Sequence, residues 1–314
     1  MKIQFPSRYL HAVLFTATLA GVAAGVPAGE IRHRFLAVDE SRTQLHYVDQ
    51  GNPSRDWTLT LPCKHRDLQL VGRNRLLMSW PEGYREFDLG TRKIVKEVKG
   101  YQGASTARRL PDGRTVLSCN FQGVTVYELG ADDQVLRKVS FKTGATRVLR
   151  RTSEDTLLFG SGPQLFEGDW SGRILRTFTL PGKSWVYQAL RQPDGHLLVA
   201  GGYNPALFEL DPQGQVVRAL GNEATTEAQS SGWYFLGGFQ ILPSGDAVVC
   251  NWTGHGHDDS RKGPQILQFN RAGEVVWKWH DPQRAGSING VLILDGLDAA
   301  VLHDDVGFVL GPVK

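Results

Sequence analysis

Cysteine is scarce in this chain: three in 314 residues, Cys63, Cys119 and Cys250. No CxxC pair and no Cys/His spacing of a zinc site occurs, so neither a disulfide framework nor a zinc module organises the fold. An exported chain with so few cysteines needs a core large enough to hold without staples. Cys119 and Cys250 fall at equivalent places in two repeats and are expected to be reduced, buried small hydrophobes. An excess of charge is also lacking, with 35 Lys and Arg against 32 Asp and Glu. No Lys/Arg cluster stands out, which excludes nucleic acid as a partner and argues against purely electrostatic attachment to a membrane. A sustained helical period is missing throughout, which leaves strands as the regular structure. Beyond residue 28 there is no long apolar run, linker, low-complexity tract or break in composition.

The first 28 residues read as a signal peptide. Lys2 and Arg8 form a basic start, an uncharged apolar and small-residue run follows, and Val26-Pro27-Ala28 puts small residues where a signal peptidase cleaves. The run is short and rich in Gly and Ala for a spanning helix, although an uncleaved N-terminal anchor is the alternative. The expectation is a single exported domain, 29–314, periplasmic or secreted, with no integral membrane segment after cleavage. Its formal charge falls from +3 to +1 with the loss of Lys2 and Arg8.

What is present is a repeat, clearest at YQALRQPDGHLLVAGGYNPALFELDPQGQVVRAL, 187–220. It reads as strand, Pro-Asp-Gly turn, strand, short loop, strand, Asp-Pro-Gln-Gly turn, strand. Copies align at 67–98, 106–141, 146–180 and 239–279. Period-two alternation marks half-buried strands, and Gly, Asn or Asp supplies the positive φ that tight hairpins need. Repeats of four antiparallel strands build a β-propeller, one blade each. RFLAVDESRTQLHYVDQ and DWTLTL near the N-terminus match the last three strands of a unit; NGVLILDGLDAAVLHD near the C-terminus matches the first two. The reading is therefore an all-β, six-bladed propeller whose last blade is closed by both chain termini, with one strand more than that blade needs. At about 47 residues per blade the ring is of ordinary size, and seven blades with a ragged closure is the alternative.

Turns between the first two and the last two strands of each blade are short and stereotyped. Connections between blades, and loops between second and third strands, emerge on the other face and hold the irregular sequence. Binding residues concentrate on loops held by a rigid scaffold, so that face is the expected site of function. The longest departures from the repeat are 221–238 and 253–264. Expected ligand-binding residues are His65, Trp185, Trp233, Tyr234, Trp252, His303 and Asp304. The aromatic members could stack on a planar or sugar ring or pack between blades. His255, His257 and Asp259, on a Gly-rich loop, could ligate a divalent metal with His65 or His303 reaching in, or could be a solvated polar loop. Trp277 and Trp279 alternate within an outer strand and are expected to be structural.

At DPQGQVVR from Asp211 and NRAGEVVW from Asn270, the chain resembles bacterial exported propellers of the pyrroloquinoline-quinone-like repeat and arylsulfotransferase-like kinds. The resemblance implies the fold. The quinoprotein blade carries Thr-Gly before its last strand, whereas Gln213 and Ala272 precede the glycine here, so a bound quinone is not expected. The sulfotransferase enzymes use a histidine nucleophile in the central mouth, and His65, His255, His257 and His303 are counterparts by location. Two functions are expected: a non-catalytic binding or scaffold propeller for a small molecule, glycan or protein, or a propeller enzyme of lyase, hydrolase or sulfotransferase type working from a His/Asp-rich mouth.

Overall fold

The computed structural model describes residues 30–221 and 232–313. The expected signal peptide and part of the 221–238 insertion lie outside the described residues. From Arg32 onward the chain forms six four-stranded antiparallel sheets arranged as the blades of a propeller. Blades 1 to 5 occupy 66–98, 104–141, 150–179, 189–220 and 236–279, each in sequential order from the axis outward.

Blade 6 is shared. Its innermost strand is Ile288–Ile293, and Arg34–Asp39, Gln44–Asp49 and Trp57–Thr60 supply the outer three. Phe35 pairs with Ile293 and Ala37 with Val291, which closes the ring. The surplus strand of the sequence is thus the second C-terminal one. Asp295 explains the choice: its carboxylate accepts the Arg34 amide at 2.9 Å and meets His33 Nδ1 at 2.6 Å. That fixes the N-terminal strand beside Ile288–Ile293 and turns the remaining tail away.

The turns show why the repeat is legible in some blades and faint in others. In blades 2, 4 and 5 the first turn has Gly113, Gly195 or Gly245 at φ near +90°, where a residue with a Cβ is strained. In blade 3 Asp155 takes that conformation at φ 60°, which Asp tolerates by bonding to local backbone. A β-bulge recurs before the last turn of blades 1 to 5, at Glu86/Phe87, Glu128/Leu129, Glu167/Gly168, Glu209/Leu210 and Gln268/Phe269.

No blade buries both faces alone, so the core lies between neighbours. Leu158 and Phe178 of blade 3 share a cluster with Val199 and Phe208 of blade 4. Leu36 and Leu45 of blade 6 share one with Leu76, Met78 and Phe87 of blade 1. Nearer the axis, glutamines clasp adjacent inner strands. Gln69 accepts from Arg109 N and donates to Arg109 O; Gln188 does the same with Phe239, and Gln240 with Ile293. These two-way bonds satisfy backbone groups that a ladder cannot reach across the gap between blades. Buried ion pairs repeat the theme: Arg109 of blade 2 holds Glu86 of blade 1 at 2.8 Å, and Arg191 of blade 4 holds Glu167 of blade 3 at 2.6 Å. Trp277 and Trp279 pack edge-on against Phe35, sealing blade 5 to blade 6. Cys63, Cys119 and Cys250 are free thiols, the last two buried.

Candidate functional site

Each inner strand runs from the loop face, with its interblade and B-to-C loops, to the turn face. The axis therefore has two ends made of different sequence. At the turn face the C-terminal tail lies across the opening. Arg73 and Asn74 amides donate to Ala300 and Ala299 carbonyls, Val71 bridges to Leu302, and Leu310 N donates to Ile241 O. A short hairpin, His303–Asp304 with Gly311–Pro312, places Asp305 inside the ring. Asp305 accepts from Arg108 at 3.1 Å and Arg150 at 2.8 Å, and Arg150 also donates to Asp67 at 2.8 and 3.1 Å. All four side chains are buried and their charges balance. Burial alone would raise the Asp305 carboxyl, but Arg108 and Arg150 override it and hold it below its ordinary range.

This plug corrects two expected site residues. His303 and Asp304 lie in the tail hairpin at the turn face, away from the 253–264 loop. His303 Nε2 donates to Asp298 O at 2.8 Å, and the Asp304 carboxyl is pushed up by burial and by neighbouring Asp305, against Arg108.

Above the plug, Tyr187, Asn289, Gly238, Gly290 and Asp67 help to line an axial cavity of about 40 Å³, room for a few waters at most. The Asn289 side chain is buried, and neither amide atom has a partner. The mouth above is framed by Arg66, which reaches across from blade 1 to the Tyr187 hydroxyl at 3.5 Å and pairs with Glu40 at 3.1 Å. Tyr187 donates in turn to Asn289 O at 3.1 Å. His65 is near this mouth but sealed. Its Nδ1 donates to Cys63 O at 2.7 Å, and its Nε2 accepts from Arg85 at 3.3 Å. Burial pushes its pKa down to about 4, so it is a neutral, fully engaged imidazole with no nitrogen left for a nucleophilic or basic role.

Beside the mouth, the loop face of blades 4 and 5 presents a ladder of rings. Trp185 meets Tyr203 at 6.4 Å, Tyr203 meets Phe235 at 4.8 Å, Phe235 meets Trp252 at 5.6 Å, and Trp252 meets His255 at 4.7 Å, all edge to face. Such contacts fix the rings to one another by about 1 kcal/mol each beyond area burial. Phe235 also touches Tyr187 at 5.7 Å, which joins the ladder to the mouth. Phe235 is buried, whereas Trp185 and Tyr203 are 38 % and 51 % exposed. Gly202 makes this possible. At φ 63° it packs so closely that a Cβ would collide with the Trp185 carbonyl oxygen and the Phe235 ring. Of the remaining expected aromatics, Tyr234 is 45 % exposed beside the ladder, with Lys262 near its ring. Trp233 instead packs edge-on against Phe269 of the core.

The expected metal loop does not assemble. Asp259 accepts from Gly256 N at 2.9 Å and pairs with Lys262 at 2.8 Å within the turn Asp259–Lys262. His255 lies against Trp252, and His257 borders a separate exposed depression with Arg42, Asp281 and Arg284. Among the described residues no three His, Cys, Asp or Glu groups gather to hold a metal ion. Sequence reading omitted Tyr203 and the Asp67–Arg108–Arg150–Asp305 cluster from the expected site. Tyr203 follows Gly201-Gly202 on a B-to-C loop, a local signal that could have marked it.

No family model and no curated protein matches the chain. Solved structures do. A protein of unknown function from Bacteroides caccae aligns over 84 % of this chain and 99 % of its own, at 20 % identity and a TM-score of 0.71. A streptogramin B lyase aligns over 80 % and 83 %, at 10 % identity and 0.53. A catalytically inactive variant of virginiamycin B lyase from Staphylococcus aureus, with quinupristin, aligns over 80 % and 85 %, at 10 % identity and 0.52. At these identities the likeness is one of fold, and the resemblance to quinoprotein-like and sulfotransferase-like blades likewise extends to the propeller and no further.

Proposed function

We propose that the protein is an exported, non-catalytic binding propeller that holds a sugar or a planar ring on the loop-face ladder. The observation that carries this reading is the exposure of Trp185 and Tyr203 on rings locked by their neighbours. A rigid, half-exposed aromatic surface offers stacking area at little entropic cost. The histidine–carboxylate pairs support binding over catalysis by their positions. His33–Asp295 and His196–Asp194 lie at the turn face, and His46–Asp39 is buried within blade 6. Export rests on the segment 1–28.

Titration of tryptophan fluorescence with a panel of oligosaccharides tests the reading. Binding should weaken about tenfold in Trp185→Ala and in Tyr203→Ala, in line with roughly 1.4 kcal/mol per decade. Saturable binding unchanged by both substitutions would place the ligand elsewhere. Cell fractionation of the full chain and of a form lacking 2–28 tests export: only the full chain should leave the cytoplasm.

A further inference from the structure

The ladder ends on a cationic mouth. Lys64 and Arg66 both turn to one carboxylate, Glu40, at 3.4 and 3.1 Å. Arg147 enters from the connection between blades 2 and 3, half-buried, and makes no hydrogen bond or ion pair among the described residues. The next residue, Val148, donates its amide to Tyr187 O at 3.0 Å, which sets Arg147 beside Tyr187 at the mouth. Among the described residues, three cations therefore face one anion at the point where Phe235 joins the ladder to Tyr187. Among the described residues, several other acids of this face have cations of their own: Asp258 with Arg261, Asp259 with Lys262, Asp281 with Arg284, and Glu97 with Arg85 and Lys99; Glu82, on the B-to-C loop of blade 1, is exposed to water. Directly below, the Asn289 amide is buried without a partner and lines the cavity. A half-buried guanidinium lacking a counter-charge and a buried amide lacking a hydrogen bond both cost free energy in the empty state. At the turn-face end of the same axis, the buried charges of Asp67, Arg108, Arg150 and Asp305 match one another.

Building on the binding reading above, we infer that the ligand is an acidic glycan: its ring stacks on the ladder, and its carboxylate or sulfate sits at the axial mouth on Arg147 and Arg66. Arg147 has free donors for an anionic oxygen, and the charge-assisted bonds so formed are the strong kind. The Tyr187–Phe235 contact sets the anion beside the ladder, so a sugar with its acid on the ring suits the geometry better than a free small anion.

Calorimetry with tetragalacturonate, a sulfated galactan tetramer and neutral cellotetraose tests this at low and high salt. One of the acidic tetramers, or both, should bind about tenfold or more tightly than the neutral one, and the preference should shrink at high salt. Comparison of the two acidic arms identifies carboxylate or sulfate as the group recognised. Arg147→Gln should bring the acidic tetramers down to the neutral affinity, and Arg147→Lys should retain part of the preference. Trp185→Ala should weaken acidic and neutral tetramers alike. Equal affinity for acidic and neutral tetramers, or a preference that survives Arg147→Gln, overturns the acidic-glycan inference and leaves the ladder reading in place. Binding of none of the three overturns both.

Discussion

The two ends of the propeller axis are built from the same inner strands and have opposite character. At the turn face, Arg108 and Arg150 are fully matched by Asp67 and Asp305, and the tail covers them. At the loop face, among the described residues, Arg147 is unmatched and the Asn289 amide lacks partners, and Trp185 and Tyr203 are exposed to water. The difference teaches which end is finished by the fold itself. Closed, charge-balanced networks hold structure; half-satisfied groups and exposed rings on rigid loops contribute little to the empty molecule and are explained by something that arrives.

The contrast can be broken most severely at the plug. Asp305→Ala leaves two buried guanidinium groups sharing one carboxylate, and removing one partner of a buried ionic network costs about 3–5 kcal/mol. Urea denaturation should show the midpoint falling accordingly; a loss below about 1 kcal/mol would mean that the tail is only draped over the opening. A smaller effect is expected with pH beneath the loop face. His65 titrates at about 4 in the folded protein against 6.5 for a free histidine. The unfolded chain thus takes up the proton first, so this contribution to stability is complete above pH 6.5 and is lost as pH falls toward 4. The slope should amount to on the order of 3 kcal/mol across that window and should flatten in His65→Gln. If the two profiles coincide, the imidazole is not sealed. The smallest effect belongs to the ladder: Trp185→Ala, which removes one ring contact, should cost about 1 kcal/mol, and Tyr203→Ala, which removes two, no more than about 2 kcal/mol. A larger thermal shift would make these rings part of the packing and remove the contrast between the two ends.

The ring was legible in the sequence because its signals are local. Pro111-Asp112-Gly113 and Asp211-Pro212-Gln213-Gly214 each announce a hairpin within four residues. Blade 3 was fainter because Asp155 does the work of a glycine, and its inner strand is only Arg150–Arg151. The surplus C-terminal strand was misleading for a different reason. Residues 297–304 alternate well enough to pair, but Asp295 bonds to Arg34 across 261 positions and settles the competition. The plug was invisible for the same cause: Arg150 meets Asp67 over 83 positions and Asp305 over 155, and no spacing rule spans such separations. On the loop face, the face itself and Trp185 were readable from the irregularity of the connections. The histidine-rich loop drew attention by composition alone, while its Asp259 was already committed to Lys262 and the Gly256 amide.

Ring closure also sets a schedule for synthesis. The strand Arg34–Asp39 leaves the ribosome well before its partner Ile288–Ile293. At roughly 5–20 residues per second, the roughly 250 residues between them take on the order of 10–50 seconds to make. Throughout that interval Arg34–Asp39 has an open hydrogen-bonding edge with Phe35, Leu36, Ala37 and Val38 on it, the kind of edge that pairs with whatever strand is near. Residues 34–39 are therefore the stretch most exposed to wrong pairing during synthesis, and Ile288–Ile293 is the strand that ends the exposure.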